Sequence, residues 1–294
     1  MSEPASVGVK VNAPLTELRW SGIRDMALAA EVSGLDSLWS EDHHFGPPDG
    51  GDPWDVWSVL AALAAATERL RLGPIVASLN FSSPLLFARR VAAVQEISGG
   101  RLVCGIGAGS LPAEYPKAGL PIDHPVSRFE EAFEIVRRLL GGERFDYQGE
   151  YWQLEDTWLS TPPEEPVEWM LGSTGPRMLG IALPHVEGWN AHWGSFRNAV
   201  AGFRDLSEQV DEACEAHGRD PADLWRSAEI YVQLDGAIGL PIDLPDDFPV
   251  PRGEGEIGVV LSQLADAGAD LVQVLVDPQT PEAVERLGAV AAKL

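Results

Sequence analysis

Short apolar segments near residues 6–12, 35–40, 70–78, 101–107, 166–171, 186–191, 225–234 and 270–276 alternate with stretches of helical periodicity. Ile23, Met26, Ala27 and Ala30 repeat at helical spacing, as do Phe129, Ala132, Phe133, Val136, Leu139 and Leu140, and again Ile257, Val260, Leu261 and Leu264. Strands alternating with helices join in parallel through right-handed crossovers, and eight such units can close into a barrel. The expected fold is therefore α/β, a single (β/α)8 TIM barrel over residues 1–294, with a doubly wound open sheet as the alternative. Segments 108–125, 142–165 and 235–251 do not fit the repeat and are expected to be insertions. Those after strands 4 and 7 are the better lid candidates, because loops after barrel strands carry specificity. Alternating aromatic and polar residues around Gln148 and Gly149 predict an exposed hairpin in 142–165.

Charge narrows the partners. The chain has 45 acidic and 21 basic residues, a net charge of -24, which repels nucleic-acid phosphates and anionic membranes and leaves a small molecule as the expected partner. Cys104 and Cys214 are far apart and lack metal-type spacing, so neither a disulfide framework nor a metal site is expected. The start Met-Ser-Glu-Pro-Ala has no signal-peptide character, and no apolar run reaches membrane-spanning length. A cytoplasmic protein is the expectation.

Three segments carry candidate chemistry. The second strand runs directly into Asp42, His43 and His44; in a parallel barrel that end opens onto the active face. Either histidine can exchange a proton near neutral pH, and one of them serving only to tie the loop is the bland alternative. The run Gly105-Ile106-Gly107-Ala108-Gly109-Ser110 ends a strand in small residues that admit a flat ligand, or merely turn a barrel corner. In Gly172-Ser173-Thr174-Gly175-Pro176-Arg177 a strand gives way to a helix start suited to a phosphate, or to an ordinary cap. A Schiff-base barrel needs an interior lysine, and none of Lys10, Lys117 and Lys293 is expected at such a position.

Together these segments resemble the bacterial-luciferase-like superfamily of flavin-dependent monooxygenases and coenzyme F420-dependent oxidoreductases. The carriers are Gly34-Leu-Asp-Ser-Leu-Trp-Ser-Glu-Asp-His-His-Phe45, Thr67-Glu-Arg-Leu-Arg-Leu-Gly73, Pro84 with Ala88-Arg89, Ser98-Gly-Gly-Arg-Leu-Val-Cys-Gly-Ile-Gly-Ala-Gly109, and Gly172 to Arg177 before Glu187-Gly-Trp-Asn190. The resemblance implies an oxidoreductase with His43 as the catalytic proton-handling residue and Asp42 orienting it or touching the cofactor. It implies Ile75-Val76 as a cis peptide behind the ring and Gly107, Ala108 and Gly109 along it. It implies Gly172, Ser173, Thr174, Gly175, Pro176 and Arg177 as holding the phosphate, and His44, Ser110 and Glu114 as bordering the substrate pocket. Coenzyme F420 is the leading cofactor and hydride transfer the leading reaction. An FMN-dependent monooxygenase served by a separate flavin reductase is the alternative, a non-catalytic subunit is the second, and a homodimer is allowed. Ser110 is a departure: some deazaflavin dehydrogenases place a glutamic acid there, which speaks against a sugar-phosphate dehydrogenase.

Overall fold

The first strand, β1 (Ser6–Val11), illustrates how the barrel is built. Successive side chains of a strand alternate between faces. Val7, Val9 and Val11 join the main apolar core with helix residues such as Ile23 and Met26, while Gly8 and Lys10 occupy the other register. The computed structural model describes residues 5–11, 18–46, 53–240 and 242–294. Its strands continue as β2 (Ser37–Ser40), β3 (Arg71–Pro74), β4 (Ala77–Ser78), β5 (Val103–Gly107), β6 (Phe145–Gln148), β7 (Gln153–Thr157), β8 (Glu168–Leu171), β9 (Gly188–Ala191), β10 (Trp225–Gln233) and β11 (Leu271–Asp277).

Parallel pairing runs β3-β2-β1-β11-β10-β9-β8-β5-β4. The two ends of this sheet are halves of one barrel strand, interrupted at Ile75-Val76, which is a cis peptide as the resemblance implies. Leu72 bridges to Leu102 in parallel, its N–H donating to Arg101 O at 3.1 Å, so the sheet closes on itself and the open-sheet alternative falls. Outside the strands lie α1 (Trp20–Val32), α2 (Val56–Ala66), α3 (Pro84–Ser98), α4 (Glu114–Lys117), α5 (Pro125–Leu140), α6 (Pro176–Ala182), α7 (Val200–Ala216), α8 (Gly253–Asp266) and α9 (Pro281–Ala291). Among the described residues no helix is long and apolar enough to cross a membrane.

Large side chains fill the barrel's interior. Trp39, Ile75, Val103, Met170 and Leu271 form a second apolar cluster, with Val76 and Trp225 against it. Neighbouring glycines make room: a Cβ on Gly73 would stand 3.1 Å from the Trp39 ring, and one on Gly105 2.9 Å from Met170 Cε. The Gly-Gly-Arg motif closes the seam. Gly99 and Gly100 take φ of 64° and 86°, where a side chain is strained, and turn the chain from α3 into β5. The Arg101 guanidinium then donates to the carbonyls of Ala64, Thr67, Leu70 and Ser98 at 2.7–2.9 Å.

The irregular segments differ in position. Segment 108–125 contains α4 and lines the main cavity, whereas no described residue of 235–251 lines it. Segment 142–165 forms the antiparallel β6–β7 hairpin, its turn at Gly149 to Trp152 rather than centred on Gln148-Gly149. Glu131 sets that turn, accepting the amides of Glu150, Tyr151 and Trp152 at 2.7–3.0 Å. The hairpin follows a helix, which places it at the end of the barrel away from the strands' carboxyl ends.

Candidate active site

A cavity of about 550 Å³ opens at the carboxyl ends of the strands, a size suited to a cofactor with a small substrate. Three kinds of surface line it: ionisable groups from β1, β2 and β10, small residues after β5 and β8, and the cis Ile75-Val76 segment.

The β2 end supplies Glu41, Asp42 and His43. His43 Nδ1 lies 3.4 and 3.5 Å from the two carboxylate oxygens of Glu114. Glu114 Oε1 also accepts the amides of His44 at 3.0 Å and Phe45 at 3.3 Å, so one buried carboxylate ties the loop and faces the imidazole. His44 turns away from the cavity lining. Its ring stands edge-on to Phe81, centroids 4.3 Å apart, and burial lowers its pKa. The structure thereby separates two histidines that chemistry alone left equivalent.

Asp42 is partly open to the cavity yet deep among protein atoms. Burial pushes its carboxyl up to about 7 although Ser78 N–H donates to it at 3.1 Å, a hydrogen bond that favours the ionised form.

Gly107, Ala108, Gly109, Gly172, Ser173, Thr174 and Gly175 all line the cavity, as do Ile75, Val76, Ser110 and Glu114. Contact with Val76 excludes a Cβ at one of these positions and crowds it at another. A Cβ on Gly172 would meet Val76 Cγ1 at 2.6 Å and one on Gly107 would meet Cγ2 at 3.0 Å. Val76 therefore fits between two strand ends stripped of side chains, leaving a narrow platform. Tyr115 OH and Asn80 Nδ2 both donate to Ala108 O and fix the backbone beyond it. Pro176 and Arg177 stand outside the lining. Pro176 opens α6, and Arg177 pairs on the surface with Glu130 at 2.7 Å, both side chains more than half exposed. The helix start orients residue 177 outward, which the loop pattern did not reveal.

Sequence reasoning missed a buried charge triad. Lys10 and Glu229 are each 1% exposed and 2.6 Å apart, and Lys10 also pairs with Glu41. Burial opposes its charge, but Glu229 and then Glu41 outweigh it and raise the Lys10 pKa. Burial likewise works against Glu41, whose pKa is nonetheless lowered by Lys10. Lys10 thus does line the interior, contrary to expectation, but an ammonium held by two carboxylates is not a Schiff-base nucleophile. The signal was present as a lone lysine within Val7-Gly-Val-Lys-Val11 and a lone glutamate within Ser227-Ala-Glu-Ile-Tyr231, both in the interior register. His192 and Asn190 were missed as well. His192 Nδ1 accepts the Gly194 amide at 3.1 Å, which puts the ring proton on Nε2, and burial lowers its pKa. Among the described residues no group of three or more His, Cys, Asp or Glu is arranged to hold a metal ion.

Comparison with known proteins bears on the family and the fold. Residues 5–236 match the family model of the luciferase-like monooxygenases. The 5,10-methylenetetrahydromethanopterin reductase of Archaeoglobus fulgidus is 36% identical over 52% of this chain, a match spanning only 43% of that enzyme. The F420-dependent glucose-6-phosphate dehydrogenase of Kineococcus radiotolerans is 30% identical over 79% of this chain and 69% of its own length. In fold, an F420-dependent secondary alcohol dehydrogenase superposes with a TM-score of 0.81 at 18% identity, covering 98% of both chains, and monooxygenases share the fold too. The chain belongs to the luciferase-like monooxygenase family.

Proposed function

We propose that this protein is a coenzyme F420-dependent oxidoreductase that transfers a hydride between the cofactor and a small organic substrate. The observation that carries the reading is the convergence of His43, the Val76 platform and the side-chain-free ends of β5 and β8 on one cavity. The F420-dependent relatives favour the deazaflavin over FMN. When bound, the cofactor supplies a ring carbon that accepts or donates hydride.

The residues present fit such a group. A planar ring needs a surface without side chains, and a Cβ would collide with Val76 at Gly172 and be tight against it at Gly107. Ser173 to Gly175 would hold the phosphate. Arg177 would join them by leaving Glu130, an exposed pair of the kind worth at most about 1 kcal/mol. His43 takes up the proton that substrate releases and returns it in the reverse direction. Glu114 faces Nδ1, so Nε2 is the nitrogen that exchanges with substrate. Ser110 does not leave the site without a carboxylic acid, because Glu114 reaches it from four residues further along.

Anaerobic titration with F420 and with FMN tests the proposal. Saturable F420 binding is expected, with loss of deazaflavin absorbance in the presence of an alcohol or amine from a panel, or its return when reduced F420 meets an imine. FMN binding without F420 binding, followed by oxygen uptake when the complex with reduced FMN is exposed to air, would establish the monooxygenase alternative instead, and binding of neither cofactor would indicate a non-catalytic barrel.

A further inference from the structure

Among the described residues the cavity holds a second imidazole, His192, at the end of β9. The residue is exposed although it is set deep among protein atoms, so its open surface is cavity surface. Around the closed barrel β2 and β9 stand four positions apart in either direction, with β3 and β4 counted as one strand. His192 therefore stands across the mouth from His43. One arc between them carries Val76 and the small residues after β5 and β8, which is the arc proposed for the cofactor. The other arc, with Lys10 on β1 and Glu229 on β10, is left for substrate.

The ring is held at one nitrogen and free at the other. Nδ1 accepts the Gly194 amide at 3.1 Å, and a Cβ on Gly194 would crowd that same atom at 3.1 Å. Buried Trp193 lies against the ring, centroids 4.8 Å apart. A nitrogen that accepts carries no proton, so the neutral ring is a donor at Nε2, and among the described residues nothing accepts from it. Burial lowers the His192 pKa; Glu229 and Glu41 oppose this, Lys10 and His43 add to it, and the net direction keeps the ring neutral near neutral pH. A donor that loses its water to a ligand requires an acceptor from that ligand. A hydroxyl or carbonyl oxygen supplies one, whereas an ammonium group has only donors. A carboxylate or phosphate also accepts, but it would meet Glu41 and Glu229, which outnumber Lys10.

We propose that His192 is a specificity-determining residue whose Nε2–H donates to an uncharged oxygen of the substrate, selecting an alcohol or its carbonyl product over amines and anions. In the oxidative direction the alcohol carbon loses hydride to the cofactor and its hydroxyl loses a proton to His43. The carbonyl oxygen that results stays on the His192 donor. This role rests on the proposed oxidoreductase reading, while the donor itself can be probed without cofactor.

The test uses the full chain, with and without F420, and three probes of similar shape: cyclohexanone, cyclohexylammonium and cyclohexanecarboxylate. Long-range proton–nitrogen NMR of nitrogen-labelled histidine reads the ring protonation, and ligand-observed NMR reads binding. The free chain should show His192 protonated at Nε2 alone, and cyclohexanone should shift that proton. Cyclohexanone should bind at least about tenfold tighter than either other probe. His192→Phe should cut the preference to within about threefold, and His192→Gln, which keeps an N–H donor, should retain most of it. A proton on Nδ1, or equal or no binding of cyclohexanone by the unmodified chain, overturns the role whether or not a variant folds, as does a full preference in folded His192→Phe. The oxygen preference without F420 binding refutes the oxidoreductase reading alone, and F420 binding without the preference refutes the role of His192 alone.

Discussion

Glu114 and His43, 71 residues apart in sequence, meet at the rim of the cavity, with Nδ1 3.4 Å from Oε1 and 3.5 Å from Oε2. Because the same carboxylate accepts the amides of His44 and Phe45, imidazole position and loop conformation depend on one side chain. The carboxylate missing at Ser110 is thereby restored from the short helix α4.

Replacing His43 by Ala should lower turnover about 10²- to 10⁴-fold, the range for losing a general acid–base. His44→Ala should leave turnover within a few-fold, since its ring packs on Phe81 outside the lining. Steady-state rates of both variants on one substrate make the comparison, and equal losses would contradict the assignment of His43.

Glu114→Ala should cost about 1–3 kcal/mol of stability by leaving two loop amides without their acceptor, and should lower turnover as well. Glu114→Gln keeps a carbonyl oxygen for the amides and should recover most of the stability but not the rate. Urea denaturation alongside kinetics separates the two effects.

Gly172→Ala should drive a methyl into Val76. Overpacking of this kind costs about 1–3 kcal/mol, which, expressed at the platform, corresponds to about a 5- to 150-fold loss of cofactor affinity. Fluorescence titration measures it, and unchanged affinity would show that no ring rests there.

Lys10→Met should destabilise the fold by about 3–5 kcal/mol, because Glu41 and Glu229 would keep buried charge without a partner. Lys10→Met combined with Glu229→Gln should lose less. The Lys10 pKa is raised in the folded state, so its stabilisation is full below the unfolded lysine value and is lost as pH rises through the folded one. Denaturation midpoints of the two variants at neutral pH, and of the unmodified chain on the alkaline side, check this.

Asp42 and Glu41 should give opposite pH dependences. The Asp42 pKa is raised from 3.8 to about 7, so its contribution to stability is full below 3.8 and is lost as pH climbs through 7. The Glu41 pKa is lowered from 4.5, so its contribution is full above that value and is lost as pH falls through the lower folded one. Asp42→Asn should therefore flatten the decline in stability on the neutral side and leave the acid side unchanged, as read from urea midpoints across pH.

The sequence by itself determined the alternation of strands and helices, the polar end of β2 and the stripped ends of β5 and β8. Each is a local pattern, written in side-chain periodicity or in the need for glycine where the chain turns or crowds. The resemblance carried by these segments also singled out His43, but only the tertiary structure decided that His44 turns from the cavity onto Phe81, that Glu114 faces His43, that Lys10 joins Glu229 across 219 residues, and that Arg177 turns outward to Glu130. Those outcomes depend on which strands become neighbours when the barrel closes, and on the direction a side chain takes from a loop or helix start. Both are set by contacts between distant segments; a local pattern marks at most the face a side chain takes, as for Lys10 and Glu229, and not the partner it meets.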